Sequence, residues 1–182
     1  MKTTLALVAF TLLIPVAASA QDGKLNLSFL DRLAERATEK QEVTLDESML
    51  RAAAPGLVRP GPRADAAKQV LSGLKGVFVR NYEFDNDKAY SMEDIAAIRK
   101  QLSAPGWMKI VSNEEKGKGN QWELQEIYLF QQAGKTNGIF IINAEPGELS
   151  VVNIVGSFAF SDLGALGGIL GIPGNIGKSL GK

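Results

Sequence analysis

The densest run of chemistry-bearing side chains is Glu83-Phe84-Asp85-Asn86-Asp87, followed closely by Glu93 and Asp94. Carboxylates at alternate positions, Glu83, Asp85 and Asp87, can offer oxygens to a hard cation. A calcium loop needs spaced acids, a glycine and a closing acidic residue, and here Lys88 and Ala89 follow with neither. The same acids can also form a glycosidase pair, one donating a proton and one attacking or activating water. That reading lacks substrate-binding aromatics set beside the pair. Asp and Asn side chains equally build turns by bonding to their own backbone. Glu83, Asp85 and Asp87 are thus the metal-ligand candidates, and no catalytic or cofactor-binding residue is assigned.

Composition narrows the chemistry further. The 182 residues contain no histidine and no cysteine. Disulfides, thiolate metal sites, cysteine nucleophiles and any Ser-His-Asp arrangement are excluded. The segment 113–120 (Asn-Glu-Glu-Lys-Gly-Lys-Gly-Asn) carries glycines and charge. It lacks the Gly-Lys-Ser/Thr ending and the following helix that a phosphate loop requires, so it reads as a solvated hairpin. Residues 51–80 hold six basic side chains against Asp65 alone. This excess of five positive charges is a solvated surface by default, and one that can meet an acidic partner.

Residues 1–20 have the layout of a secretory signal peptide: Lys2, an apolar run from Leu5 to Ile14, Pro15, then Ala18-Ser19-Ala20. The apolar run is too short to span a bilayer, which takes about 20 residues. Cleavage after Ala20 leaves a chain starting at Gln21, exported to the periplasm or secreted. Without Lys2, 19 basic side chains face 20 acidic ones, a net charge of −1. That balance gives no general pull toward nucleic acid or anionic membrane. With no disulfide available, the core must hold the fold, and a chain of this length buries about 70% of its unfolded surface.

The elements that must position any site follow from periodicity. Ser28 and Asp31 fit a capping box opening a helix, with Phe29, Leu30, Leu33, Ala34 and Ala37 on one face. A short strand follows at Glu42-Val43-Thr44-Leu45. Pro55-Gly56 and Arg59-Pro60-Gly61-Pro62 mark a loop. A second helix covers Ala64 to Leu74, and a strand runs from Gly76 to Phe84. A third helix starts at Ser91, boxed by Asp94, with Ile95, Ile98 and Leu102 as its buried stripe. From Trp107 the period becomes two. Four strands (107–111, 122–131, 138–145 and 149–158) are joined by short links, which implies an antiparallel meander.

The expected fold class is α+β. It has two layers, with helices packed on a mixed, mostly antiparallel sheet ending in that four-strand meander. Residues 21–162 form a single domain, followed by a glycine-rich apolar tail at 163–182. On the second meander strand Trp122, Leu124, Tyr128 and Phe130 point one way and Glu123, Gln125, Ile127, Leu129 and Gln131 the other. A sheet covered on one side should alternate cleanly, yet both faces are apolar at their centres. Either another segment covers the second face, or Ile127 and Leu129 form the apolar core of an interaction surface rimmed by polar residues.

The charged segment Leu30-Asp31-Arg32-Leu33-Ala34 leads to Glu42-Val43-Thr44-Leu45. The passage Gly73-Leu74-Lys75-Gly76-Val77 then leads into Tyr82-Glu83-Phe84 and the closing meander. Together, over residues 25–158, they resemble the exported bacterial domain-of-unknown-function 4252 family. The resemblance implies a small exported or lipid-anchored protein, of a kind often encoded near extracytoplasmic-function sigma and anti-sigma factors. It also implies an envelope-stress or surface-sensing accessory role. The family has no assigned catalytic residues to carry over, and this chain lacks the anchoring cysteine of its lipid-anchored members.

The functional expectation is an exported, non-enzymatic binding or regulatory accessory protein of the envelope. It has no cofactor, no nucleic-acid partner and no membrane span after cleavage, and an envelope protein is its partner. The alternatives are a hydrolase using the carboxylates near Glu83, Asp85 and Asp87, or a carrier of a hydrophobic small molecule held between sheet and helices.

Overall fold

A computed structural model describes residues 23–58, 61, 64–86, 88–116 and 122–158, apart from the side chains of Leu57 and Ala66. The signal peptide at 1–20, the tail at 163–182 and Asp87 lie outside the described residues. A 3-10 turn, Ser28–Leu30, leads into helix α1 (Asp31–Ala34) and strand β1 (Glu39–Asp46). Helices α2 (Glu47–Leu57) and α3 (Ala64–Gly73) precede strand β2 (Leu74–Glu83) and helix α4 (Met92–Leu102). The meander is β3 (Trp107–Lys116), β4 (Trp122–Gln132), β5 (Lys135–Glu145) and β6 (Glu148–Gly156).

The six strands form one sheet in the order β1-β2-β6-β5-β4-β3. Every pairing is antiparallel, which corrects the expectation of a mixed sheet. A single crossover helix would have left β1 and β2 parallel, but the pair α2–α3 turns the chain back so that β2 runs against β1. Helix α4 then carries the chain to the far edge, and the meander walks back until β6 docks beside β2.

The architecture has three layers rather than the expected two. On the first face Leu30 and Leu33 of the N-terminal segment and Ile95, Ile98 and Leu102 of α4 pack with Tyr82, Tyr128, Phe140, Ile142 and Leu149. On the second face Leu50 of α2 and Val70 and Leu71 of α3 pack with Val77, Val79, Ile139, Ile141, Val152 and Ile154. Helices on both faces account for strands that are apolar on both sides.

Two local expectations also change. Ser28 does not cap a helix: it is the first residue of the 3-10 turn, no side chain caps that turn or α1, and α1 stops at Ala34. Like charges repel at i,i+4 along Asp31, Glu35 and Glu39. Beyond them the chain is drawn into the sheet, beginning with Thr38 N–H on Glu83 O at 2.8 Å. Nor does Pro55-Gly56 exclude a helix, because both residues lie in the last turn of α2. Asp46 accepts from Met49 N–H at 2.8 Å to start that helix. Leu50 anchors it, and Val58 N–H closes it on Ala54 O. No helix among the described residues is long and apolar enough to cross a membrane.

Candidate binding surface

Of the three metal-ligand candidates, Glu83 and Asp85 are described. Glu83 ends β2 and Asp85 lies in the following bend, both exposed. Asp94 is buried and committed to structure: it accepts from Ser91 N–H at 2.8 Å, completing the capping box of α4, and pairs with Arg32. Among the described residues no three carboxylates gather as a bound metal would require. Ile127 and Leu129, the candidate interaction surface, are 0% and 6% exposed, so the alternative of a covered face holds at its centre. They belong to the second apolar cluster, so the centre of that face is core and the face reaches solvent at its polar end.

A buried carboxylate went unnoticed in the sequence. Glu126, fully buried among the inward residues of β4, accepts from Arg99 Nε at 3.0 Å, Arg99 Nη2 at 2.9 Å and Tyr128 OH at 2.8 Å. Lys109 adds a fourth bond, to Oε1. Burial alone would raise its pKa, but these bonds hold the carboxyl below its ordinary 4.5. A carboxylate has about four acceptor positions, and all are filled. Glu126 is a structural anchor between α4 and the sheet, not a general base.

On the first face, residues 24–28 and strands β1 and β2 enclose a cleft of about 510 Å³, with Asp31, Thr44, Phe78 and Arg80 in its wall. The Arg80 guanidinium donates to Val79 O at 2.9 Å and to Val43 O and Thr44 Oγ1 at 3.3 Å. Nη1 is thus engaged with its own strands, while Nε stands 3.7 Å from Glu42 Oε1 and is buried with no hydrogen-bond partner among the described residues. Leu25, Leu27 and Phe78 make about half of the cleft's lining apolar, and a larger, mainly apolar pocket lies between α2 and α3 at Ala54, Pro55, Val58 and Ala64.

The second face is ordered by chemistry across its strands. Side chains two apart share a face, and the register aligns them into rows. Val43, Val79, Val152, Ile141, Ile127 and Val111 face one another in succession from β1 to β3, all β-branched and apolar. Two residues along each strand, the row is Gln41, Asn81, Ser150, Asn143, Gln125 and Asn113, five amides and one hydroxyl. Two residues further it is Glu39, Glu83, Glu148, Glu145, Glu123 and Glu115. The step from Glu145 to Glu123 continues the β4–β5 register one pair beyond Leu124–Ala144.

The amide row is incompletely bonded. Gln125 Nε2 donates to Asn143 Oδ1 at 3.2 Å and Asn113 Nδ2 to Gln125 Oε1 at 3.4 Å. Asn143 Nδ2, Ser150 Oγ and Asn81 Oδ1 are buried with no hydrogen-bond partner among the described residues. Asn143 is only 8% exposed and Ser150 3%. Asn143 nonetheless lines an open cleft of about 220 Å³ together with Asn113, Gln125, Glu115, Glu123 and Glu145.

The glutamate row carries its own electrostatic signature. Like charges directly opposite on neighbouring strands repel, and no described cation lies within 4 Å of any of the six carboxylates. Burial first, then Glu145 and Glu83, push the Glu148 carboxyl above its ordinary value. An acid raised in the folded state stabilises the fold fully below its unfolded pKa and loses that contribution as pH rises through the folded one. Glu126 acts in the opposite sense, losing its contribution as pH falls through its lowered pKa. The melting temperature should therefore rise on acidifying from neutral pH through the raised pKa of Glu148, then fall as pH drops through the lowered pKa of Glu126. Melts monitored by circular dichroism check this, and Glu148→Gln should flatten the rise.

A family model supplies the relationship. It is described as Domain of unknown function (DUF4252) and matches residues 35–166. The chain belongs to this family. The match contains every strand and helices α2 to α4, and so the whole of the amide and glutamate rows. The 3-10 turn and α1 precede it. No curated protein matches the chain.

Proposed function

We propose that this DUF4252 protein is an exported, non-catalytic binding module of the bacterial envelope, acting as a regulatory accessory through the polar end of its second sheet face. One observation carries the reading: Asn143 lines an open cleft, is almost wholly buried, and has its side-chain amide nitrogen left unbonded among the described residues. An unsatisfied buried polar group costs about 1–3 kcal/mol, a cost that a bound partner removes. The signal-peptide layout of residues 1–20 supports export, and N-terminal sequencing of native protein should find Gln21. The filled acceptor positions of Glu126 and the commitment of Asp94 to the cap of α4 and to Arg32 favour binding over turnover.

The test is a comparison. Envelope extract passed over the immobilised mature chain should yield a partner that Gln125→Lys fails to retain, while the two proteins melt alike. Equal retention by both would overturn the assignment to this face. A hydrolase activity abolished by Asp85→Ala would overturn the non-catalytic reading and restore the carboxylates as a reaction centre.

A further inference from the structure

We propose that the occupant of this face is a basic polypeptide segment in extended conformation, laid across the strands. Its lysine or arginine side chains would meet the glutamate row, and its backbone would bond the amide row. This rests on the reading of the face given above and names the chemistry of its partner.

The first argument is the shape of the charge. Neighbouring strands are about 4.8 Å apart, so six glutamates spread over about 24 Å, turning gently with the sheet twist. The carboxylates form a line and gather into no cage for a single cation. A ligand that complements them must present several positive charges along its length. Extended polypeptide rises about 3.3 Å per residue with side chains alternating, so about eight residues cover the row.

The second argument is the hydrogen bonding. Asn143 Nδ2 is a donor needing an acceptor, Asn81 Oδ1 is an acceptor needing a donor, and Ser150 Oγ is both. A metal ion or a polyamine brings positive charge but no acceptor. A peptide backbone brings C=O groups as well, and one seated in the cleft that Asn143 lines can meet its Nδ2. The two rows lie two residues apart on each strand, within reach of a lysine or arginine whose backbone sits over the amides. Acidic ligands, nucleic acid and anionic lipid among them, are repelled by the glutamates.

The experiment uses the full mature chain and a fluorescent peptide of about ten residues alternating lysine and threonine, about 33 Å when extended. Fluorescence anisotropy should show binding that weakens with added salt. Replacing Glu115, Glu123 and Glu145 together by Gln should weaken it about tenfold, three surface ion pairs' worth. Gln125→Ala should weaken it as well, although that change removes no charge. Glu47→Gln, an exposed carboxylate on α2, should leave it unchanged, and circular dichroism melts should show every variant folded. Equal loss from Glu47→Gln, insensitivity to Gln125→Ala, or full displacement by spermine at matched charge would overturn the peptide assignment in favour of diffuse cation attraction. Sedimentation showing self-association through this face, undisturbed by the peptide, would overturn it in favour of a second copy. If Gln125→Lys loses the native partner while the lysine peptide never binds, the inference fails and the face remains. If neither binding responds to the face, both fall.

Discussion

Replacing Arg99 by Ala should cost about 2–4 kcal/mol, because it strands the carboxylate of Glu126 in the core. Removing one partner from a wholly buried ion pair costs about 3–5 kcal/mol. The lower figure applies because Lys109 and Tyr128 keep two of the four bonds. Lys109→Ala should cost less, since the two-pronged Arg99 contact persists. Converting Glu126 and Arg99 together to Leu should recover most of the loss, because the penalty belongs to the unpaired charge and not to the absent bond. Urea denaturation of the two singles and the double measures the coupling. A loss below about 0.5 kcal/mol for Arg99→Ala, typical of an ordinary surface change, would mean that water reaches Glu126 and that α4 is held by its apolar stripe alone.

Glu126 also shows where reading a strand by its pattern stops. Trp122, Leu124, Tyr128 and Phe130 mark one side of β4 as inward, and Glu126 lies midway among them at the same parity. An acid at an inward position demands buried cations, and that signal was present. Its partners were not readable, because Arg99 comes from α4 and Lys109 reaches β4 only past the irregularity between Lys109 and Val111. The stripe Ile95, Ile98 and Leu102 and the Ser91–Asp94 box were legible because helical spacing and capping are local. Helix α2 was hidden by Pro55, whose effect near a helix end is smaller than its reputation in the interior suggests.

The rows on the second face were beyond reach for a different reason. Each strand contributes one glutamate and one amide or hydroxyl two residues apart: Glu39 and Gln41, Glu83 and Asn81, Glu148 and Ser150, Glu145 and Asn143, Glu123 and Gln125, Glu115 and Asn113. The pairs run forward in one strand and backward in the next, as antiparallel neighbours must if like is to meet like. Seen singly, each is a polar strand end. Only the register brings them together, and a slip of one residue in any strand would turn its pair to the opposite face. The two strands that complete the rows at β1 and β2 lie far from the meander in sequence. The apolar centre at Ile127 and Leu129 drew attention to this face. Its burial beside Leu50, Val70 and Leu71 moves the accessible part toward Gln125 and Glu123.

Gly156→Ala should cost about 2–5 kcal/mol, combining overpacking of about 1–3 with backbone strain of similar size. Helix α3 ends at Gly73 and β2 begins at Leu74 with no connecting residue, so the last residue of β6 must pass close to that corner. Ser157 N–H binds Gly73 O at 2.9 Å, and Gly156 adopts φ +142°. A methyl group on Gly156 would meet Gly73 O and would stand 2.6 Å from Leu74 Cα. Both are backbone atoms that no rotamer change can move. Gly134 is the control. It also has positive φ, +75°, but a Cβ there meets nothing within 4 Å. Gly134→Ala should therefore carry strain alone, about 1–2 kcal/mol. The difference between the two urea midpoints at equal m-value isolates the close approach. Equal losses would show that β6 does not press on the helix–strand corner. Leu74 would then owe its burial to α3 and β2 alone, and the pairing of β6 with β2 would have room to shift at this end.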